Sequence, residues 1–157
     1  MPKQKTLEEA YCNCEADGCI ASLEMVDIKK IQSMFALAQT VYDTSEDVKK
    51  NLDSKSARWS VVYILHYDAV RELVDALIRF DKKKIANHQC LFAFLCKTHP
   101  ELELSWDFFE KIRTKRNGVQ YYASPTTYMD WKEIELQFGL YFSTLKKKIE
   151  QKLEEYQ

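Results

Sequence analysis

The stretch WSVVYILHYDAVRELVDALIRF, residues 59–80, decides the fold of this chain. Side chains recur along it at spacings of three and four, which is the period of one buried face of an α-helix. The positions on that face are Trp59, Val62, His66, Ala69, Leu73, Ala76 and Phe80. The first half, residues 59–65, is apolar on all sides except at Ser60. Such a helix either lies at the centre of a bundle or also packs on a second subunit.

The composition favours helices over sheets. Three glycines and three prolines in 157 residues are about a third of the usual share, which disfavours sandwiches, barrels and Rossmann-type sheets with their many turns. The hydrophobic fraction of 46% excludes disorder for most of the length. A chain of this length is expected to form one domain.

Four further helices are predicted from apolar spacing and capping residues. They cover residues 26–52 with Asp27 as the cap, a short segment that begins after Asn87 and ends before Pro100, the segment from Ser105 to about Tyr122, and a long segment that begins after Thr126 or Thr127. Short loops between them indicate an up-and-down antiparallel bundle. The predicted fold class is therefore all-α, with about five helices over residues 23–157.

Residues 1–22 stand apart from this bundle and are predicted to be a tail or a short helix. They contain Cys12, Cys14 and Cys19, whose spacing offers three soft metal ligands if a fourth comes from elsewhere. The spacing is not that of the paired units in zinc ribbons. An odd count of five cysteines without an export signal favours reduced thiols, so a mobile, reduced tail is preferred over a metal or redox role.

Charge and hydropathy limit the partners. The formal net charge of −1 gives no global attraction to nucleic acid or to an anionic membrane, so any such binding needs a local patch. The longest apolar run, Val61 to Leu65, is far shorter than a bilayer span of about 20 residues, and the start of the chain lacks a signal-peptide core. A cytoplasmic protein without a membrane partner is expected.

Without an HExxH motif, glycine-rich phosphate loop or dinucleotide spacing, no cofactor is predicted.

Histidines and the later cysteines are interpreted as structural. His66 lies on the apolar stripe of its helix, which is typical of a hydrogen-bonded core histidine. His88 and His99 lie near a helix start and before a proline, with no paired carboxylate evident in the sequence. Cys90 and Cys96 are expected to pack inside their short helix.

The most informative position is Arg116. It occupies a slot where the stripe of Phe109 and Ile112 calls for an apolar residue, and Asn117 follows it. Burying a guanidinium costs several kcal/mol unless it is paired or faces a water-filled cleft, and functional sites tend to lie where such a cost is accepted. The alternative, favoured by the residues alone, is that Arg116 lies at the edge of the stripe, snorkels, or pairs with a carboxylate of another helix.

Three cations precede Arg116 and two tyrosines follow it. Lys111, Arg113 and Lys115, with Tyr122 as a stacking partner, are the candidate residues of an RNA- or phosphate-binding surface. A charged helix face is more often only solvated. Tyr121 and Tyr122 also have an alternative interpretation as aromatic packing at the end of the helix.

The segment KIRTKRNGVQYY, residues 111–122, resembles the motif region of HEPN-domain proteins, in which Arg-Asn is followed by three variable residues and a histidine. Residues 67–77 are similar to the patterned second helix of that family. His88 with Leu91 resembles another recurrent feature of the family, and the resemblance covers roughly residues 23–156.

This resemblance implies a homodimer whose two arginine motifs meet in a cleft. It also implies a metal-independent ribonuclease of the toxin or defence type, often encoded beside a minimal nucleotidyltransferase. Arg116 and Asn117 carry over as catalytic residues, and Tyr121 stands at the histidine position. With a pKa of about 10, a tyrosine is a poor general base at neutral pH, although its hydroxyl could orient a phosphate. The alternatives are a non-catalytic module that binds a nucleotide or the nucleotidyltransferase, and a purely structural dimer.

Overall fold

The structure is a computed structural model that describes residues 3–157. Within this range the chain forms six α-helices and two short strands. The helices are α1 (Leu7–Ala16), α2 (Ile28–Lys49), α3 (Trp59–Ile78), α4 (His88–Thr98), α5 (Trp106–Tyr122) and α6 (Tyr128–Glu155). Strands β1 (Ala21–Ser22) and β2 (Lys83–Lys84) pair antiparallel, with Ala21 opposite Lys84. The predicted all-helical class is confirmed, with one helix more than expected.

Helix α3 is the centre of the molecule, because it packs against α2, α4, α5 and α6. The predicted face is buried from Trp59 to Ala76, and Phe80 is partly buried. The opposite side is not fully covered, since Val61 is 45% exposed. Neither α3 nor any other helix in the described part of the chain combines the length and hydropathy that a membrane crossing requires.

The predicted caps are present and explain where the helices begin. The side chains of Asp27, Asn87 and Ser105 each accept a hydrogen bond from the backbone N–H three residues later. Of the two candidates for α6, Thr127 is the cap and forms a reciprocal pair with Asp130. The neighbouring Thr126 instead donates its N–H to the Ser60 hydroxyl of α3 at 2.8 Å.

The N-terminal segment differs from the favoured expectation. Residues 1 and 2 of the predicted tail lie outside the described residues, and residues 7–16 form α1, which packs on α4. Cys14 is bonded to Cys90 of α4 in a disulfide, so the prediction of a mobile, reduced segment is wrong for this helix. The apolar pattern of this segment is weak because α1 buries only two small residues, Ala10 and Cys14.

Candidate functional site

The side chain of Arg116 extends from α5 towards α3, and 15% of it is exposed. Its guanidinium stacks on the Tyr67 ring at 5.3 Å from the ring centroid, a cation–π contact. An Nη2 to Asp68 Oδ1 distance of 3.6 Å makes a long ion pair. Its Nε is buried and has no hydrogen-bond partner among the described residues. Arg116 is thus paired with a carboxylate of another helix, as the structural interpretation expected, but its hydrogen-bonding capacity is incompletely used.

Arg116 opens onto a cavity of 280 Å³ at the junction of α4 and α5. The cavity is lined by Ala86, Asn87, His88, Gln89, Arg113, Arg116, Asn117 and Tyr121. The three predicted catalytic residues therefore border one space. Sequence reasoning did not place His88 there, because 28 residues separate it from Arg116 and only the packing of α4 on α5 brings them together.

The cavity carries a positive potential. Burial, and then the nearby cations Arg71, Arg116 and Arg113 in that order, together lower the pKa of His88 to about 4. His88 is consequently neutral at pH 7. Burial also raises the pKa of Asp68 despite the opposing effect of Arg116 and Arg71.

The other predicted cations have closer partners than Arg116. Arg113 makes a two-point contact with Glu110, at 2.9 and 3.1 Å. Lys111 lies 2.7 Å from Glu133, and Lys115 lies 3.1 Å from Asp130. Both lysines border a separate groove of 970 Å³ in which cations and carboxylates are interleaved. The predicted phosphate-binding set is thus split, and Arg113 is the one member of that set that borders both spaces.

The tyrosines at the end of α5 are not packed. Tyr121 and Tyr122 are 70% and 79% exposed, so the alternative of aromatic packing at the helix end is wrong. Tyr121 borders the cavity while Tyr122 does not. Neither hydroxyl is held by a hydrogen bond within the described residues.

His66 belongs to a buried network that resembles a catalytic triad. Its Nδ1 lies 2.5 Å from Ser45 Oγ and its Nε2 lies 2.9 Å from Glu46 Oε1. Burial lowers the pKa of His66. Its Nδ1 also lies 2.9 Å from the Val62 carbonyl oxygen, which accepts the Ser45 hydroxyl proton at 3.1 Å. Ser45 and His66 are 0% and 1% exposed and border neither cavity. The interpretation of His66 as a hydrogen-bonded core histidine is confirmed.

His99, in contrast to its interpretation from sequence, has two carboxylate partners. Its Nε2 lies 2.6 Å from Asp81 Oδ2 and its Nδ1 lies 3.1 Å from Glu101 Oε1. The Asp81 hydrogen bond raises the pKa of His99. The pairing ties the end of α4 to the turn that follows α3.

The weakly predicted metal site at Cys12, Cys14 and Cys19 is wrong, because Cys14 is consumed in the disulfide with Cys90. Residues 3–157 contain no group of three or more histidine, cysteine or acidic side chains placed to hold a metal ion. Cys96 is a free thiol in α4, and burial raises its pKa to about 12.

Comparisons of the chain with protein-family models, curated proteins and solved structures found no match. The resemblance to HEPN proteins therefore depends on the motif residues quoted above, and it stays a prediction.

Proposed function

We propose that this chain is a HEPN-like protein that acts on RNA, with the phosphate bound by Arg116 in the cavity between α4 and α5. The observation that carries the proposal is the state of Arg116. It is largely buried, it has an unpartnered Nε, and it borders a cavity that also contains Asn117 and a neutral histidine.

The chemistry of the cavity suits a phosphodiester. A guanidinium binds phosphate oxygens through two parallel N–H donors, and such charge-assisted bonds are about twice as strong as neutral ones. Because the Asp68 partner is 3.6 Å away, an anion can compete for the same donors. Cleavage through the 2′-hydroxyl adds negative charge to the phosphate in the transition state, and a fixed cation stabilises that charge.

The exposed surface beside the cavity supports pairing of two chains. Val61 precedes Asp68 by seven residues, so both lie on one face of α3. Val61, Tyr121 and Tyr122 leave apolar surface exposed around the site. The resemblance implies that a second copy pairs with the first so that two Arg116 side chains meet in a cleft.

The test is the rate of RNA degradation by the purified wild-type chain and by Arg116→Ala. We expect the variant to lose about two orders of magnitude in rate, the usual effect of removing a positioned donor from a developing anion. Arg116→Lys should recover little, because an ammonium cannot form the two-point contact.

Arg79→Ala is the matched control. Arg79 is similarly buried, and its Nε lies 3.6 Å from Asp75 Oδ1 without forming a hydrogen bond. It does not border the cavity, so it should reproduce any loss of stability without the loss of activity. Equal rates for wild type and Arg116→Ala would refute the proposal.

The non-catalytic alternative is favoured by one observation, the exposed and unassisted Tyr121 at the histidine position. It predicts that RNA is not cleaved, and that Arg116→Ala instead abolishes either stabilisation by ATP or copurification of a minimal nucleotidyltransferase. A rise in melting temperature with ATP in the wild type, absent in Arg116→Ala, would favour this function.

A further inference from the structure

His88 is held in one orientation by a buried tyrosine. The Tyr67 hydroxyl lies 3.0 Å from His88 Nδ1, which is its one hydrogen-bond partner in the described chain. Burial raises the pKa of that hydroxyl, so it keeps its proton. A fully buried O–H donor must be satisfied, and the hydroxyl therefore donates to Nδ1. The neutral ring is left with its own proton on Nε2.

The Nε2 side of the ring is available to a ligand. His88 borders the cavity with Arg116. Within residues 3–157 its Nε2 makes no hydrogen bond, and it is not among the buried polar atoms that lack a partner. The ring is thus fixed at one nitrogen and free at the other, and this arrangement orients a proton-transfer group.

The charges that face His88 come from two helices. Helix α3 contributes Arg71 beside the Tyr67 hydroxyl, and α5 contributes Arg113 and Arg116. Glu72 pairs with Arg71, Glu110 with Arg113 and Asp68 with Arg116. The excess of positive potential at the ring disfavours the imidazolium in the empty cavity.

We infer that His88 is the proton-transfer residue of this cavity, donating from Nε2 to a phosphodiester bound at Arg116. This inference rests on the proposed function and replaces the role that Tyr121 cannot fill. The 2′-oxygen attacks phosphorus and loses its proton to water, while the bond from phosphorus to the 5′-oxygen breaks. When RNA binds, His88 takes up a proton at Nδ1, and this N–H then donates to the Tyr67 oxygen, while Nε2 keeps its own proton. The departing 5′-oxygen takes the Nε2 proton, and the ring retains the proton on Nδ1. The products are a 2′,3′-cyclic phosphate and a 5′-hydroxyl, and His88 is neutral again.

The substrate itself charges the histidine. Burial first, and then the positive charges of Arg71, Arg116 and Arg113, lower the pKa of His88 to about 4. A phosphate between Arg113 and Arg116 offsets the effect of these charges, because a negative neighbour favours the protonated ring. The pKa of His88 therefore rises when RNA binds. Proton uptake is coupled to binding, so the acid form is present only when a substrate occupies the cavity.

The first experiment measures that coupling by NMR. The His88 ring is titrated in the free protein and in the presence of a short 2′-O-methyl RNA, which cannot be cleaved. We expect the pKa to move from about 4 towards neutrality with the RNA. His99 at the other end of α4 serves as the internal reference and should not respond. A His88 pKa unchanged by bound RNA would overturn the inference.

The second experiment separates binding from proton transfer. His88→Gln keeps an N–H donor near the Nε2 position but cannot carry a proton, so we expect kcat to fall about 100-fold while RNA affinity changes less than about tenfold. The acid limb of the pH–rate profile should disappear in this variant. His99→Gln, the control for the loss of a histidine away from the cavity, should keep the wild-type rate and profile.

The outcomes distinguish the inference from the proposed function. If Arg116→Ala abolishes cleavage while His88→Gln cleaves like the wild type, the role of His88 is refuted and the RNA-acting function stands. If the wild-type chain does not cleave RNA, both fail.

Tyr67→Phe tests positioning: it keeps the ring under Arg116, and its pH–rate profile should shift because Nδ1 loses its donor. Melting temperatures of all variants establish that they are folded.

Discussion

At the scale of single residues, the described structure contains two kinds of buried polar side chain. His66 and His99 have partners at both ring nitrogens, and they fix the helices relative to one another. At the cavity between α4 and α5, His88 makes no hydrogen bond from its Nε2. Arg116 has an Nε without a hydrogen-bond partner and a long contact with Asp68. Satisfied groups stabilise a fold, whereas incompletely satisfied groups beside open space are available to a ligand. The same residue types thus have different roles.

Asp81→Asn should destabilise the protein mainly at low pH. The Asp81 hydrogen bond raises the pKa of His99 above its value of about 6.5 in an unfolded chain. The folded chain then binds the proton more tightly, so this contribution is complete below about pH 6.5 and is lost as the pH rises through the folded pKa. We expect a loss of about 1 kcal/mol in the free energy of unfolding in the acidic range, measured by urea denaturation.

The control for this prediction is Asp47→Asn, which alters an exposed pair with Lys50 and should change stability little at any pH. A loss for Asp81→Asn that grows as the pH rises would contradict the assignment of the His99 proton.

At the scale of elements, α5 combines packing and function along its length. Its first half buries Phe108, Phe109 and Ile112 in the core, while its second half presents Arg116 and Asn117 to the cavity. The helix ends at Ala123, which has a left-handed φ of 52°. The N–H of Ser124 closes the end by donating to the Gly118 carbonyl at 3.0 Å.

Ala123→Gly should stabilise the protein. A left-handed conformation costs an L-residue with a Cβ about 1 kcal/mol, and glycine is the usual residue at this position of a helix end. We expect an increase of up to about 1 kcal/mol in the free energy of unfolding, without a change in RNA degradation. Ala86→Gly, in a loop without a positive φ, is the comparison and should not stabilise. A destabilised Ala123→Gly would show that the end of α5 differs from this geometry.

Helix α1 depends on its covalent link to α4. The disulfide closes a loop with a sequence separation of 76 residues, and such a link stabilises by about 4 kcal/mol through the restricted unfolded chain. Reduction, or joint replacement of Cys14 and Cys90 by alanine, should lower the free energy of unfolding by up to that amount. Hydrogen exchange should show the largest loss of protection in α1.

Replacement of the free thiols Cys12 and Cys19 is the control and should leave stability nearly unchanged. A peptide map without reductant that finds Cys14 and Cys90 unlinked would contradict the disulfide.

At the scale of the whole molecule, the central helix is incompletely covered by its own chain. The exposed Val61 lies on the same face of α3 as Asp68, which pairs with Arg116 of α5. We expect Val61→Glu to convert a dimer into a monomer, because a charge in an apolar interface is costly. Light scattering after size exclusion measures the mass. Rates of RNA degradation should fall with the dimer.

Met25→Glu is the matched control, since Met25 is also exposed but precedes α2. In the loop before Met25, the N–H of Leu23 donates a hydrogen bond to the carbonyl of Lys82, which lies just after the C-terminal end of α3. This variant should stay a dimer. A wild-type chain that is monomeric at all accessible concentrations would contradict the pairing.

Much of the fold could be predicted from local chemistry. Helix periodicity and the caps Asp27, Asn87 and Ser105 act over three or four residues, so α2, α4 and α5 begin where the sequence placed them. The anomalous Arg116 was also found locally, since it interrupts an apolar stripe. For residues 1–22 the sequence left open a tail or a short helix, because the partner that holds α1 in place, Cys90, lies 76 residues from Cys14.

By itself, the sequence determined the helical class, the position of the central helix α3 and the residue at which the packing pattern is broken. The tertiary structure alone decided that His88 joins Arg116, that Lys111 and Lys115 are paired elsewhere, and that Cys14 meets Cys90. The physical reason is range. Periodicity and capping depend on neighbours within one or two turns, whereas a cavity, an ion pair or a shifted pKa depends on which helices pack together.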